Sequence, residues 1–113
     1  KARTVGPALV AMVRRARAAG VRIAFGTDTG VSPHGMNARE FQLLVEAGYT
    51  PLQAIQMATV NAADHLQLNG TAGRIAPGYS ADIIAVDGDP TTDAETLMRV
   101  RFVMARGRAH SAE

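Results

Sequence analysis

The run from Val21 to Gly26 constrains the fold of this chain more than any other stretch. It is a short, almost continuous apolar segment, Val-Arg-Ile-Ala-Phe-Gly, that stops at Thr27 and Asp28. An apolar run of this length that ends in turn residues is typical of a strand buried on both faces, as in a parallel sheet. Asp28 then lies just past the carboxyl end of that strand, where α/β proteins place their catalytic groups.

Helical patterns lie on both sides of this run. Apolar residues three and four positions apart predict a helix over residues 4–19, which Gly20 ends. A second helix is predicted over residues 37–48, with an Asn as cap and a Glu three residues later at the capping-box position. A third begins at Thr50 with a capping box of its own. It carries an apolar stripe that we expect to be buried, formed by Leu52, Ile55, Ala58, Ala62 and Leu66.

After residue 69 the pattern changes to short strands separated by glycine-rich turns. Ile83–Val86 and Val100–Ala105 are predicted strands, and Arg106-Gly107 is a predicted hairpin tip. Asp82, just before the first of these strands, is expected to bond a local backbone group. The chain therefore divides near residue 69 into an α/β part and an all-β part. Neither part is expected to close on itself, because a lone buried strand and two or three short strands lack partners.

Composition excludes several classes of protein. The hydrophobic fraction of 47% and the charged fraction of 19% are those of a soluble globular protein. The net charge is only +2 and most arginines are scattered, so we expect no nucleic-acid partner. The chain contains no cysteine, which excludes disulfides and thiol chemistry. No apolar run approaches a membrane span and no secretory signal opens the chain, so we expect no membrane partner and a cytoplasmic location.

The order of several short motifs resembles one known family. From about Gly20 to Gly107 the succession resembles the C-terminal portion of metal-dependent amidohydrolases, in the branch of imidazolonepropionase and the Xaa-Pro dipeptidases. Each motif is weak alone, and the ordered set is specific. The motifs are Gly26-Thr27-Asp28, Pro33-His34-Gly35, Asn37-Ala38-Arg39-Glu40, Glu46-Ala47-Gly48-Tyr49-Thr50-Pro51, Asn61-Ala62-Ala63, Gly73-Arg74-Ile75-Ala76-Pro77-Gly78, Ala81-Asp82-Ile83-Ile84 and Asp89-Pro90.

The resemblance implies an α/β fold in which this chain is the C-terminal fragment of a TIM (β/α)8 barrel, followed by short strands of a small β-sandwich. Residues 1–68 would be the C-terminal end of the barrel, with Val21–Gly26 as its eighth strand. Residues 69–113 would supply the C-terminal strands of the composite sandwich. The family's other metal ligands would all lie upstream of residue 1.

The resemblance also implies a metal-dependent hydrolase that cleaves a peptide-like or cyclic amide bond, with prolidase-type dipeptides as the first substrate class. The cofactor would be one or two divalent ions, expected to be zinc. Asp28 would bind metal and shuttle the catalytic proton, with Thr27 orienting its carboxylate. His34, in the loop beyond, would contact substrate. From the residues alone two alternatives stand: Asp28 caps a turn, and His34 is an exposed loop histidine.

A second class of function also fits the sequence. In this alternative the chain on its own is a non-enzymatic fragment or assembly module, inactive alone, that folds by self-association or with a partner chain over unpaired strand edges. Under either interpretation we expect a homo-oligomer or association with an N-terminal part of the same protein.

Overall fold

The computed structural model describes residues 2–26 and 37–110. Within them, four α-helices precede a three-stranded antiparallel sheet of order β1-β2-β3. No helix in this part of the chain is long and apolar enough to cross a membrane. The helices are α1 (Ala2–Ala18), α2 (Glu40–Glu46), α3 (Pro51–Ala58) and α4 (Val60–His65); the strands are β1 (Ile83–Val86), β2 (Val100–Ala105) and β3 (Arg108–His110); 3-10 turns lie at Asn37–Arg39 and Ala94–Met98.

Glycine ends α1 and α2, as predicted from the sequence. Gly20 has a φ of 75°, and the N–H of Val21 reaches back to the carbonyl of Ala16 at 2.9 Å. This is a Schellman ending, in which a left-handed residue lets the chain satisfy the last free carbonyls of the helix. Gly48 ends α2 with the same bond pattern at a φ of 111°. Both helices therefore stop at a position where a residue with a Cβ would be strained.

The second and third predicted helices differ from the observed ones in their bounds. α-Helical structure begins at Glu40, because residues 37–39 form a tighter 3-10 turn. The capping box of α3 is confirmed: the N–H of Gln53 donates to Thr50 Oγ1 at 3.1 Å, and the N–H of Thr50 donates to Gln53 Oε1 at 2.9 Å. The third predicted helix is split at Thr59, whose φ of −118° and ψ of −88° separate α3 from α4.

The sheet is a hairpin-based unit whose strands fall where the sequence predicts them. β2 and β3 are joined by Arg106 and Gly107, with φ values of 50° and 76°. Two successive positive φ values make the type I′ turn that matches the twist of a two-residue hairpin. β1 pairs antiparallel with β2, and the register shifts between Ala85 and Val86. The predicted hairpin tip is therefore confirmed.

The run Val21–Gly26 is neither helix nor strand within the described residues and does not take part in the sheet. Ile23 and Phe25 are half-buried, whereas Val21 is 55% exposed and Ala24 is also exposed. The expectation of burial on both faces stays a prediction, because the neighbouring strands that it requires are expected to lie outside this chain. Exposed and half-buried residues alternate along the run because helices cover only one side of it, and none of the described strands pairs with it.

The core is small and lies among the helices and the second 3-10 turn. The predicted apolar stripe of the third helix is not part of it, since Leu52 is 47% exposed and Leu66 is 64% exposed. Among the described residues no large side chain is fully buried. The prediction that this stripe is buried is therefore wrong here. Burial needs a facing element, and the helices α3 and α4 bury Ala54, Met57 and Ala63 instead. The buried apolar residues are Ala47, Tyr49, Ala54, Met57, Ala63 and Ala94.

Candidate functional site

The residues predicted to carry the chemistry are Thr27, Asp28 and His34, and all three lie outside the described residues. Their roles therefore stay predictions. The structure does describe the segment that leads to Asp28, residues 21–26, and the helices that hold it. These described elements are the support of the candidate site.

Two hydrogen bonds fasten the backbone of this segment to the third and fourth helices. The N–H of Phe25 donates to the carbonyl of Met57 at 2.9 Å. The side-chain Nδ2 of Asn61 donates to the carbonyl of Ile23 at 3.0 Å. Because both bonds use main-chain atoms of the segment, they fix its path rather than one side chain.

Arg22 adds a third attachment through its side chain. Its Nε and Nη2 donate to Asn61 Oδ1 at 3.2 and 3.0 Å, and its Nη1 pairs with Asp64 Oδ2 at 2.5 Å. Arg22 is not among the residues that the sequence patterns single out as functional. A signal was available nonetheless, because Arg22 is the one charged residue within the apolar run Val21–Gly26.

Aromatic packing holds the end of the segment against α2. The rings of Phe25 and Phe41 stack with centroids 4.5 Å apart and planes inclined by 14°. Stacked aromatic pairs of this kind stabilise beyond the apolar area that they bury. Phe25 is thus held by its backbone to α3 and by its side chain to α2, three residues before Asp28.

The described residues do not by themselves fit a metal centre. Across residues 2–26 and 37–110 no group of three or more His, Cys, Asp or Glu side chains comes together. Asp64 is already paired with Arg22, and His65 is exposed beside it in sequence. A catalytic zinc site takes three protein ligands as a rule, so these side chains supply no such set.

Among the carboxylates of the described residues, two have a clearly perturbed pKa, and both are structural. The backbone N–H of Arg106, with help from the Ser80 hydroxyl, lowers the pKa of Asp82. The hydroxyl and N–H of Thr91 lower the pKa of Asp89 in the turn after β1. Asp82 does bond a backbone group, but the expectation that this group is local is wrong, since its partner lies 24 residues away at the hairpin turn. Neither residue is arranged as a catalytic acid or base.

An open apolar groove of about 830 Å³ lies between the third and fourth helices and strand β1. Its walls include the whole apolar stripe predicted to be buried, together with Ile75 and Ile84, which are 82% and 50% exposed. Few polar groups converge in it, so its chemistry is that of a packing surface rather than of a catalytic pocket.

Comparison with known proteins identifies the family. The model of the amidohydrolase family matches residues 5–109. Ochratoxinase of Aspergillus niger is 43% identical over 89 residues, which are 75% of this chain and 18% of that protein. An adenine deaminase of Geobacillus kaustophilus is 48% identical over 67 residues, 59% of this chain and 10% of that protein.

Solved structures give the same result over nearly the whole chain. A Xaa-Pro dipeptidase with bound methionine in its active site is 41% identical with a TM-score of 0.92, over 98% of this chain and 27% of that one. A prolidase complexed with N-methylphosphonate-L-proline is 30% identical with a TM-score of 0.82, over 92% and 26%. The chain thus spans 18% of the first curated relative and 27% of the dipeptidase chain. With the ordered motifs and the fold in agreement, the chain belongs to the amidohydrolase family.

Proposed function

We propose that this chain is the C-terminal part of a metal-dependent hydrolase that cleaves a peptide-like amide bond, with Xaa-Pro dipeptides as its substrate class. The observation that carries the proposal is the likeness to the Xaa-Pro dipeptidase, at 41% identity over 98% of this chain. The prolidase complexed with a proline phosphonate supports the same class. Family membership in turn makes the non-enzymatic assembly module the weaker interpretation, because the relatives are hydrolases.

In this proposal residues 1–68 form the C-terminal end of a TIM barrel, and residues 69–113 form strands of the accompanying β-sandwich. Val21–Gly26 is the eighth strand of the barrel. The attachment of that run to the helices that follow it supports the assignment. Catalytic groups of such barrels lie at the carboxyl ends of the strands, which is the position of Asp28 in the sequence.

Amide hydrolysis at neutral pH requires an activated water and a proton for the departing nitrogen. A divalent metal, proposed to be one or two zinc ions, would be the Lewis acid that lowers the pKa of the attacking water. Asp28 takes the proton from the attacking water and passes it to the leaving nitrogen, and it also serves as a metal ligand. His34 contacts the substrate. The remaining metal ligands come from parts of the full-length protein other than this chain.

The test is hydrolysis of Xaa-Pro dipeptides by the full-length protein and by its Asp28→Asn variant. We expect the variant to lose activity by about 10²- to 10⁴-fold with bound metal retained, because an amide cannot take up the proton. Asp87→Asn is the matched control, since Asp87 is an exposed carboxylate paired with Arg101 and should leave the activity unchanged.

Two results would contradict this assignment. Undiminished hydrolysis by Asp28→Asn would remove the proton-shuttle role. If the wild-type protein deaminates adenine and does not hydrolyse dipeptides, it would be placed with the adenine deaminases among its relatives. That result would overturn the substrate class.

A further inference from the structure

We propose that Asn69 is a site of non-enzymatic deamidation, at which the side-chain amide is converted through a cyclic imide to aspartate and isoaspartate. The inference goes beyond the proposed function and does not depend on it. It rests on the geometry of residues 68–71, a turn that follows α4 and whose four residues are all exposed.

The turn is a type II β-turn with Asn69 and Gly70 at its centre. The N–H of Thr71 donates to the carbonyl of Leu68 at 2.9 Å, and Gly70 has a φ of 89°. Asn69 is not among the non-glycine residues with a positive φ, so only the second central residue is left-handed, as a type II turn requires. Glycine adopts many backbone conformations at little steric cost. The peptide group between Asn69 and Gly70 is therefore able to rotate.

The surroundings of this peptide group leave it free to react. Within residues 2–26 and 37–110, neither the N–H of Gly70 nor the carbonyl of Asn69 has a hydrogen-bond partner in the backbone. A Cβ built on Gly70 would have no heavy atom within 4 Å, so the main chain has room to move. The exposed amide of Asn69 can thus approach the backbone nitrogen that follows it.

The reaction needs only water as a co-reactant. The backbone nitrogen of Gly70 attacks Cγ of Asn69, and the new N–Cγ bond closes an imide ring. The Cγ–Nδ2 bond breaks, and Nδ2 leaves as ammonia with the proton from the attacking nitrogen. Water then opens the ring, at Cγ to give aspartate or at the main-chain carbonyl carbon to give isoaspartate. Glycine favours the first step because it has no Cβ beside the attacking nitrogen.

Asn61 provides a comparison within the same molecule. Its Nδ2 donates to the carbonyl of Ile23 at 3.0 Å, and its Oδ1 accepts from the guanidinium of Arg22. The residue that follows it, Ala62, lies within α4. Its amide is therefore held away from the next backbone nitrogen, and we expect no reaction there in the folded protein.

The product carboxylate would have positive charges nearby. Asn69 lines a small cavity of about 70 Å³ whose walls also include Arg22, Arg74 and Asp64. Two guanidinium groups therefore accompany the one carboxylate already there, and a second carboxylate balances their charge. We expect the modified protein to keep its fold while its net charge falls by one unit, so that ion exchange separates it from the unmodified protein.

The experiment incubates the full-length protein in its native state at two mildly alkaline pH values one unit apart, with a parallel sample in urea. Trypsin cuts after Arg39 and Arg74 with no Lys or Arg between them, so one peptide carries both Asn61 and Asn69. Fragment-ion masses then assign the modified residue, and a sample taken before incubation corrects for modification during digestion.

We expect a mass increase of about 1 Da at Asn69 of the native protein, with isoaspartate among the products. The rate should rise about tenfold over the pH unit, because the deprotonated fraction of a weakly acidic amide nitrogen rises by that factor. Asn69→Gln is the control: its longer side chain does not close the same ring, so position 69 should stay unmodified.

Three results would overturn the inference. Modification at Asn69 in urea alone would show that the folded turn protects the amide. Equal rates at Asn61 and Asn69 in the native protein would show that the contacts around the two side chains do not matter. Aspartate without isoaspartate would indicate direct hydrolysis of the amide rather than attack by the nitrogen of Gly70.

Discussion

Asp82 shows how one carboxylate can join the two ends of the sheet. Its Oδ1 accepts the N–H of Arg106 at 2.8 Å, and the next residue of the turn, Gly107, donates its N–H to the carbonyl of Ala81 at 3.0 Å. The hairpin turn between β2 and β3 is thereby fixed to the residues that precede β1. The N–H of Arg106 is the main cause of the lowered pKa of Asp82, because it stabilises the ionised form.

We expect the stability contributed by Asp82 to depend on pH in the acid range. Its folded-state pKa lies below the ordinary value of 3.8, so its contribution is complete above that value and is lost as the pH falls through the folded pKa. Asp82→Asn should therefore be less stable than wild type at pH 6, and the difference should shrink below pH 3.8. Urea denaturation at both pH values measures this. An equal stability difference at both pH values would show that the variant is not destabilised by the loss of the carboxylate charge.

At the scale of the elements, local chemistry decides what sequence can predict. The capping box at Thr50, the terminating Gly20 and Gly48, and the Arg106-Gly107 turn all depend on residues within a few positions of one another. The interruption at Thr59 was not predictable in this way. It accompanies a contact with a distant residue, Gly73, whose approach to Thr59 no local pattern encodes.

Gly73 is predicted to be the least replaceable glycine of the second half of the chain. Its φ is 97°, and a Cβ placed on it would lie 2.9 Å from both Ala63 Cβ and the carbonyl oxygen of Thr59. We expect Gly73→Ala to lower the free energy of unfolding by about 2–4 kcal/mol, through backbone strain and overpacking.

Gly78→Ala separates those two causes. Gly78 has a φ of 86° but open space around it, so only the strain of about 1–2 kcal/mol should appear. Chemical denaturation of both variants measures the difference. Equal losses would mean that the close approach of Gly73 to Thr59 and Ala63 has no energetic consequence.

At the scale of the whole molecule, the sequence predicts which side chains are apolar more securely than which of them are buried. The stripe that includes Leu52 and Leu66 has the spacing of a core face, yet it lines the open groove. Leu9 and Met12 of α1 are likewise about half exposed, at 52% and 50%. Periodicity identifies a face that requires a partner, whereas burial depends on which element packs against it. The assignment of Asp28 and His34 depends in the same way on residues elsewhere in the protein.

We expect residues 1–113 on their own to self-associate through the groove and to bind a hydrophobic dye such as ANS. Removing exposed apolar side chains from water favours association, and this groove carries exposed Ile75, Leu66 and Ile84. Ile75→Lys should reduce both properties, because a charge in an apolar contact is costly to desolvate. Thr92→Lys is the control, since it adds the same charge at an exposed residue outside the groove walls. Sedimentation velocity and dye fluorescence measure the outcome. A monomer of 11.9 kDa without dye binding would contradict the prediction, and equal effects of the two lysines would assign the association to surface charge rather than to the groove.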